Sequence, residues 1–118
     1  MTPVFQTKHG VGGNCWQAAL ASILGLDLDD VPNFVQETDP DDVYSDFLYE
    51  CGFIAMQLPG NAEPDCYYLA FGPSIVTGHP HVVVARYGDL IHDPHQGRNG
   101  LERVEYVHLL IPTEIDLS

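Results

Sequence analysis

Apolar positions near the start of the chain recur with a helical period. Trp16, Ala19, Leu20 and Ile23 stand at i, i+3, i+4 and i+7, the spacing that puts side chains on one helix face. Cys15 to Leu24 holds no Gly or Pro, so the pattern predicts a helix with one face in a core. Asn14 is placed to cap its start through a side-chain oxygen. Gly25 is placed to end it in a left-handed turn. A second helix is predicted from Pro40 and Asp41 to a stop at Gly52, with Val43, Phe47, Leu48 and Cys51 as its apolar stripe. Asp39, Asp41 and Asp42 suit the positive end of its dipole.

Beyond Gly52 the period becomes strand-like. Phe53 to Leu58 and Cys66 to Phe71 are short strands separated by Pro59, Gly60 and Pro64. Val82 to Tyr87 is a β-branched run, and Leu90 to Asp93 follows it across Gly88, the spacing of a hairpin. Val104 to Ile111 alternates and stops at Pro112. Helices first and strands after, with short connections, predict an α+β fold with a mostly antiparallel sheet. The chain has 118 residues, no internal repeat and no linker rich in Gly, Pro or Ser. It is therefore read as one domain over residues 1–118.

Charge narrows the function. Asp plus Glu number 17 against 4 Lys plus Arg, a net charge of −13. Such a chain lacks the basic footprint of a nucleic-acid binder and is not drawn to anionic membrane surfaces. No apolar run approaches the ~20 residues that span a bilayer. Met1 to Gly13 lacks the basic and then apolar order of a signal peptide. Cys15, Cys51 and Cys66 are an odd set without CxxC spacing, which fits free thiols in a reducing cytosol. Nine of the acids lie from Asp27 to Glu50 with no Lys or Arg among them. Such a run is ordinarily a solvated face; the alternative is a surface that meets a basic protein partner.

Three stretches could carry chemistry. In Gly13-Asn14-Cys15-Trp16 the cysteine sits at the first turn of the predicted helix, where the dipole and free amides favour thiolate and can donate to an oxyanion. The ordinary role of a lone cysteine is that of a small buried hydrophobe. The other two are Gly78-His79-Pro80-His81 and His92-Asp93-Pro94-His95. A thiol nucleophile needs a base, and the base an orienting group. If the hairpin turn is Tyr87, Gly88 and Asp89, Val83 lies opposite Asp93. His81 then shares a sheet face with Asp93, on the diagonal. A two-residue turn would put the pair on opposite faces. The rival use of His79, His81, His92, Asp93 and His95 is a metal site, although their spacing matches no metal signature. His9 and His108 read as structural.

Gly-Asn-Cys-Trp opening an Ala-rich helix resembles the nucleophile helix of papain-like cysteine peptidases. The order Cys15, then His81 at a strand start, then Asp93 beside it is similar to theirs. His81-Val82-Val83-Val84 and Asp93-Pro94 look most like the bacteriocin-leader-peptidase-like branch, and like small members found in bacteria and phages. The resemblance runs from about Gln6 to Leu101. It implies a papain-like fold, Cys15 as nucleophile, His81 as general acid and base, and Asp93 as the orienting residue. Gln6, the one Gln upstream of Cys15, would be the oxyanion donor; its other role is an ordinary surface or edge residue. Trp16, Asn14 and His79 would meet substrate, with Tyr67, Tyr68 and Phe71 as further aromatic candidates; the ordinary role of most of these aromatics is core packing. No cofactor is implied. The chain is too short for two lobes walling a long cleft, so the expected substrate is a peptide end, a small amide or a substrate presented by a partner, and the expected reaction cleavage or transfer of an amide bond. A binding or inhibitory protein on the same fold, and a metal-dependent hydrolase, are the other readings.

Overall fold

The computed structural model describes residues 1–10, 12–97 and 99–114. Helix α1 is Cys15–Leu24 and α2 is Pro40–Glu50. Single 3-10 turns, Leu28–Asp30 and Phe34–Gln36, join them. Five strands follow: β1 Phe53–Pro59, β2 Tyr68–Pro73, β3 Pro80–Arg86, β4 Asp89–His92 and β5 Tyr106–Pro112. They form one sheet in the order β1-β5-β2-β3-β4, with every pairing antiparallel. This is the α+β fold with an antiparallel sheet that the pattern predicts.

Helix α1 ends as expected, with Gly25 at φ 70°. Its burial is wider than one stripe: Ala18, Ala19, Leu20, Ala21 and Ser22 are all fully buried. Small residues let the helix lie close to β3, and Ser22 returns its hydroxyl to the Ala18 carbonyl at 2.8 Å. Both helices cover one sheet face, where Leu20, Phe34, Leu48, Leu69, Phe71 and Val84 form the main core. Phe34, on a turn the periodicity does not predict, is completely buried there. In α2 the buried positions are Tyr44 and Leu48. Tyr44, absent from the predicted stripe, is thus a central residue of that helix. The opposite face carries a smaller core around Tyr68, Ala70, Val83, Ala85 and Val107.

The β3–β4 hairpin takes the two-residue turn, yet it still brings His81 and Asp93 to one face. Arg86 pairs with Asp89, so the loop is the two residues Tyr87 and Gly88. Both have positive φ, 55° and 79°, as the tight hairpin turn matching strand twist requires. That turn alone would reverse the parity of β4. But Ala85 pairs with Leu90 and Val84 with His92, so Ile91 is an extra residue, a β-bulge. The bulge shifts the register back, and one step further on Asp93 faces the sheet side that His81 shares.

Candidate active site

The irregular first residues are held in place by the helix and the hairpin. The backbone N–H of Thr2 bonds to the Ser22 carbonyl, and that of Gln6 to the Pro94 carbonyl at 3.0 Å. Val4 donates its N–H to the Ser22 hydroxyl, and His92 Nε2 donates to the Val4 carbonyl at 2.7 Å. His92, a metal candidate by sequence, is therefore spent on fixing this segment.

Asn14 corrects an expectation. Its side chain makes no cap bond to α1. It turns back instead. Its Oδ1 accepts the N–H groups of Thr7 and Lys8 at 2.9 and 2.8 Å, and its Nδ2 donates to the Thr7 hydroxyl. With 3 % of its surface exposed, it is turned into the fold rather than toward a substrate. The carbonyl of Lys8, held this way, accepts a bond from Gln6 Nε2 at 3.0 Å. Gln6 is buried beside Cys15, and its Oε1 has no partner. One amide hydrogen of Gln6 is used on Lys8; an amide nitrogen carries two, so the second remains to give. Gly13 completes the turn: a Cβ there would stand 2.9 Å from the carbonyl oxygens of Gly10 and Lys8.

His81 and Asp93 meet in a buried pair. His81 Nε2 lies 2.7 Å from Asp93 Oδ1, with exposures of 8 % and 3 %. The carboxylate is held from two further sides, Oδ1 by the N–H of His95 and Oδ2 by the N–H of Gly100, both at 2.8 Å. Burial opposes its charge, but the bonds from His81 and these amides outweigh burial and hold the carboxyl below its ordinary range. For His81, burial pushes the pKa down. The hydrogen bond to Asp93, the neighbouring Cys15 and the Asp93 charge override it and carry it up to about 9. The ring is therefore charged at neutral pH. With Nε2–H given to Asp93, Nδ1 is the nitrogen left for Cys15.

Two cavities meet at Cys15 and His81. One is a groove of about 350 Å³ between α1, α2 and the sheet, with Trp16, Phe71, Tyr106 and His108 along it. The other is a recess of about 60 Å³ with Gln6, Gly13, His9, His79 and His95 in its wall. The geometry thus brings together Cys15, His81, Asp93, Gln6, Trp16 and His79, drawn from four separate stretches of chain. Tyr67 and Tyr68 do not belong to this group. Tyr68 packs on the far sheet face and its hydroxyl accepts the N–H of Gly88; Tyr67 lies under Arg86. A third recess, about 210 Å³ on the far face, is lined by Ala70, Val83, Leu90 and Leu101 and holds no nucleophile or titratable side chain.

The groove also contains Tyr106, which carried no signal of its own in the sequence, and His108, expected there only as a structural residue. His108 Nδ1 accepts the Tyr44 hydroxyl at 3.0 Å, and its Nε2 donates to Gln57 Oε1 at 3.2 Å. Burial pushes His108 down, the Asp41 charge only partly opposing it, so the ring is neutral. Tyr106 stacks on Phe71 with centroids 4.8 Å apart and planes at 13°. The Tyr106/His108 alternation in β5 was the available signal: residues two apart share a sheet face. Trp16 packs against Phe34, Tyr44 and Phe71. Its buried Nε1–H sits beside the Tyr44 hydroxyl without regular hydrogen-bond geometry.

Replacing Asn14 by alanine releases Thr7 and Lys8 and with them the anchor of Gln6. The expected result is a loss of at least tenfold in acylation of Cys15 by p-nitrophenyl acetate, about 10²-fold if Gln6 is fully displaced. Alkylation by iodoacetamide, which forms no oxyanion, should change far less. Equal losses in both assays would contradict the positioning role. Comparison with family models, with curated proteins and with solved structures gives no match, so the reading of this cleft rests on its own geometry.

Proposed function

We propose that this chain is a cysteine-dependent acyl-transfer enzyme, a minimal papain-like hydrolase that cleaves or transfers an amide bond. The observation that carries the reading is the buried His81–Asp93 pair beside Cys15 at the meeting of two cavities. The Cys15 thiolate, paired with charged His81, attacks the carbonyl carbon of the substrate, forming a C–S bond as the carbonyl π electrons move onto oxygen. The Gln6 amide and the N–H of Cys15 receive the oxyanion. Charged His81 gives its Nδ1 proton to the departing nitrogen as the C–N bond breaks, and Asp93 keeps the ring oriented. Neutral His81 then takes a proton from water, or from an amine acceptor, which attacks the thioester and frees Cys15. The substrates that fit a cleft of this size are peptide ends and small amides, and the reading places the enzyme in the cytoplasm. No helix is long and apolar enough to cross a membrane among the described residues.

Neither alternative has comparable support. Among the described residues no group of three His, Cys, Asp or Glu side chains is placed to hold a metal. A purely binding protein does not need a buried charged histidine beside a thiol. Iodoacetamide labelling of the folded protein tests the reading. Cys66 is the most exposed thiol and Cys51 is half-buried. Burial, then the negative charge of Asp65 or Glu50, pushes both thiols up. Cys15 should label first despite its lower exposure than Cys66, and His81→Ala should remove that lead. Preferential labelling of Cys66 would overturn the proposal.

A further inference from the structure

The larger groove differs from the recess on the other side of Cys15 in both wall and charge. Its walls are ring faces: Phe71 lies 4.8 Å from Tyr106 and 4.4 Å from His108, and Trp16 meets Phe71 edge-on. Its carboxylates stand apart from the one cation in its wall, His81, which is already paired with buried Asp93. Asp41, from the first turn of α2, and Glu105, just before β5, line it, and no Lys or Arg does. Among the described residues Asp41 has no cation partner. Glu105 has only Arg103, at 3.8 Å across two side chains more than half exposed, a weak pair in water.

The neutral groups are fixed as neutral. His108 is locked between Tyr44 and Gln57. The Tyr106 phenol is held protonated by burial and by the charges of Asp41 and Glu105. Both carboxylates therefore act on the same wall of the groove.

The position of Glu105 is built in. The segment before β5 runs close over the end of β2, with Glu102 N–H on the Pro73 carbonyl and Glu105 N–H on the Phe71 carbonyl. Gly72 permits this: a Cβ there would fall 2.1 Å from the Arg103 carbonyl oxygen.

A groove with two carboxylates, aromatic walls and no Lys or Arg in its lining, its His81 already bound to Asp93, is complementary to a positive charge on a long apolar stem. The stem covers ring surface while the charge reaches the carboxylates, and ring faces attract the cation directly. A volume of about 350 Å³ is at the lower end of ligand pockets, ~300–1,000 Å³, enough for one such side chain with its backbone. The net charge of −13 also steers cations inward. Resting on the acyl-transfer reading of Cys15, we propose that the groove binds a lysyl or arginyl side chain of the acyl donor, so that the substrates carry a basic residue at the bond attacked. Of the acidic run over residues 27–50, only Asp41 lines this groove.

Three matched probes test this: the p-nitrophenyl esters of Nα-acetyl-lysine, Nα-acetyl-norleucine and Nα-acetyl-glutamate, with acylation of Cys15 followed by p-nitrophenol release. The lysyl ester should react about tenfold faster than the norleucyl ester or more, with the glutamyl ester slowest. The lysyl advantage should shrink in high salt. In Asp41→Asn combined with Glu105→Gln the lysyl-to-norleucyl ratio should approach one. A defect in α2 alone would slow both esters together and leave their ratio intact. A ratio near one in the native protein, or one unchanged by the double substitution, overturns this inference and leaves acyl transfer at Cys15 standing. If no ester acylates Cys15, the acyl-transfer reading falls and this inference with it.

Discussion

Replacing His81 by alanine is expected to slow acylation of Cys15 by p-nitrophenyl acetate by about 10²- to 10⁴-fold, the usual worth of a positioned acid–base group. Among the described residues His81 is the one imidazole that is bonded to a buried carboxylate and lines both cavities with Cys15. His79 and His95 line only the smaller recess, and His108 only the groove, so alanine at those positions should cost far less. Removal of a buried ring also disturbs folding. Circular dichroism and addition of free imidazole separate the two causes. Partial recovery with imidazole shows that the missing proton carrier was the defect. A His81→Ala protein that is folded and acylates at the native rate would contradict the assignment.

Removal of Asp93 is expected to have the largest effect on stability. Its carboxylate accepts from His81, His95 and Gly100, and Asp93→Ala leaves all three donors without that acceptor, those of His81 and Gly100 buried. Breaking a buried ion pair from one side costs about 3–5 kcal/mol, readable as a lower urea midpoint. The pH dependence follows from the directions of the two shifts. His81 has an ordinary value of 6.5 and a native value of about 9. Its contribution is complete below 6.5 and is lost as pH rises through about 9. Asp93 lies below its ordinary 3.8, so its contribution is present above that value and is lost as pH falls through the native one. Native stability minus that of Asp93→Asn should therefore be greatest between about pH 4 and 6.5 and should decline toward pH 9. A difference that stays constant from pH 6 to 9 would show that His81 is not held charged by Asp93.

The elements were legible in the chain because their signals are local. Period and caps place α1 and α2, and Gly25 and Gly52 mark their ends. The β-branched run of β3 and the alternation in β5 place strands. The order Cys15, His81, Asp93 was legible as a motif. The parity that brings His81 to Asp93 was not. It depends on a two-residue turn and a bulge at Ile91 that offset each other, and a bulge has no local composition that distinguishes it from an ordinary strand residue. Asn14 illustrates another limit. Its side chain suits a helix cap, but the backbone N–H groups of Thr7 and Lys8 compete for the same oxygen, and that competition exists only after the first residues fold back. The groove was hidden for a third reason. Tyr44, Gln57, Phe71, Tyr106 and His108 come from four elements, and only the strand order β1-β5-β2 places them side by side.

The central claim is that Cys15 forms a covalent acyl intermediate. Rapid quenching after p-nitrophenyl acetate, followed by digestion and mass spectrometry, tests it most directly. The predicted result is one acetyl group on Cys15, formed in a burst, lost again on standing, and absent from Cys15→Ser. An acetyl group distributed among Cys15, Cys51 and Cys66, or one on Cys15 that persists like a simple thioester, would contradict it.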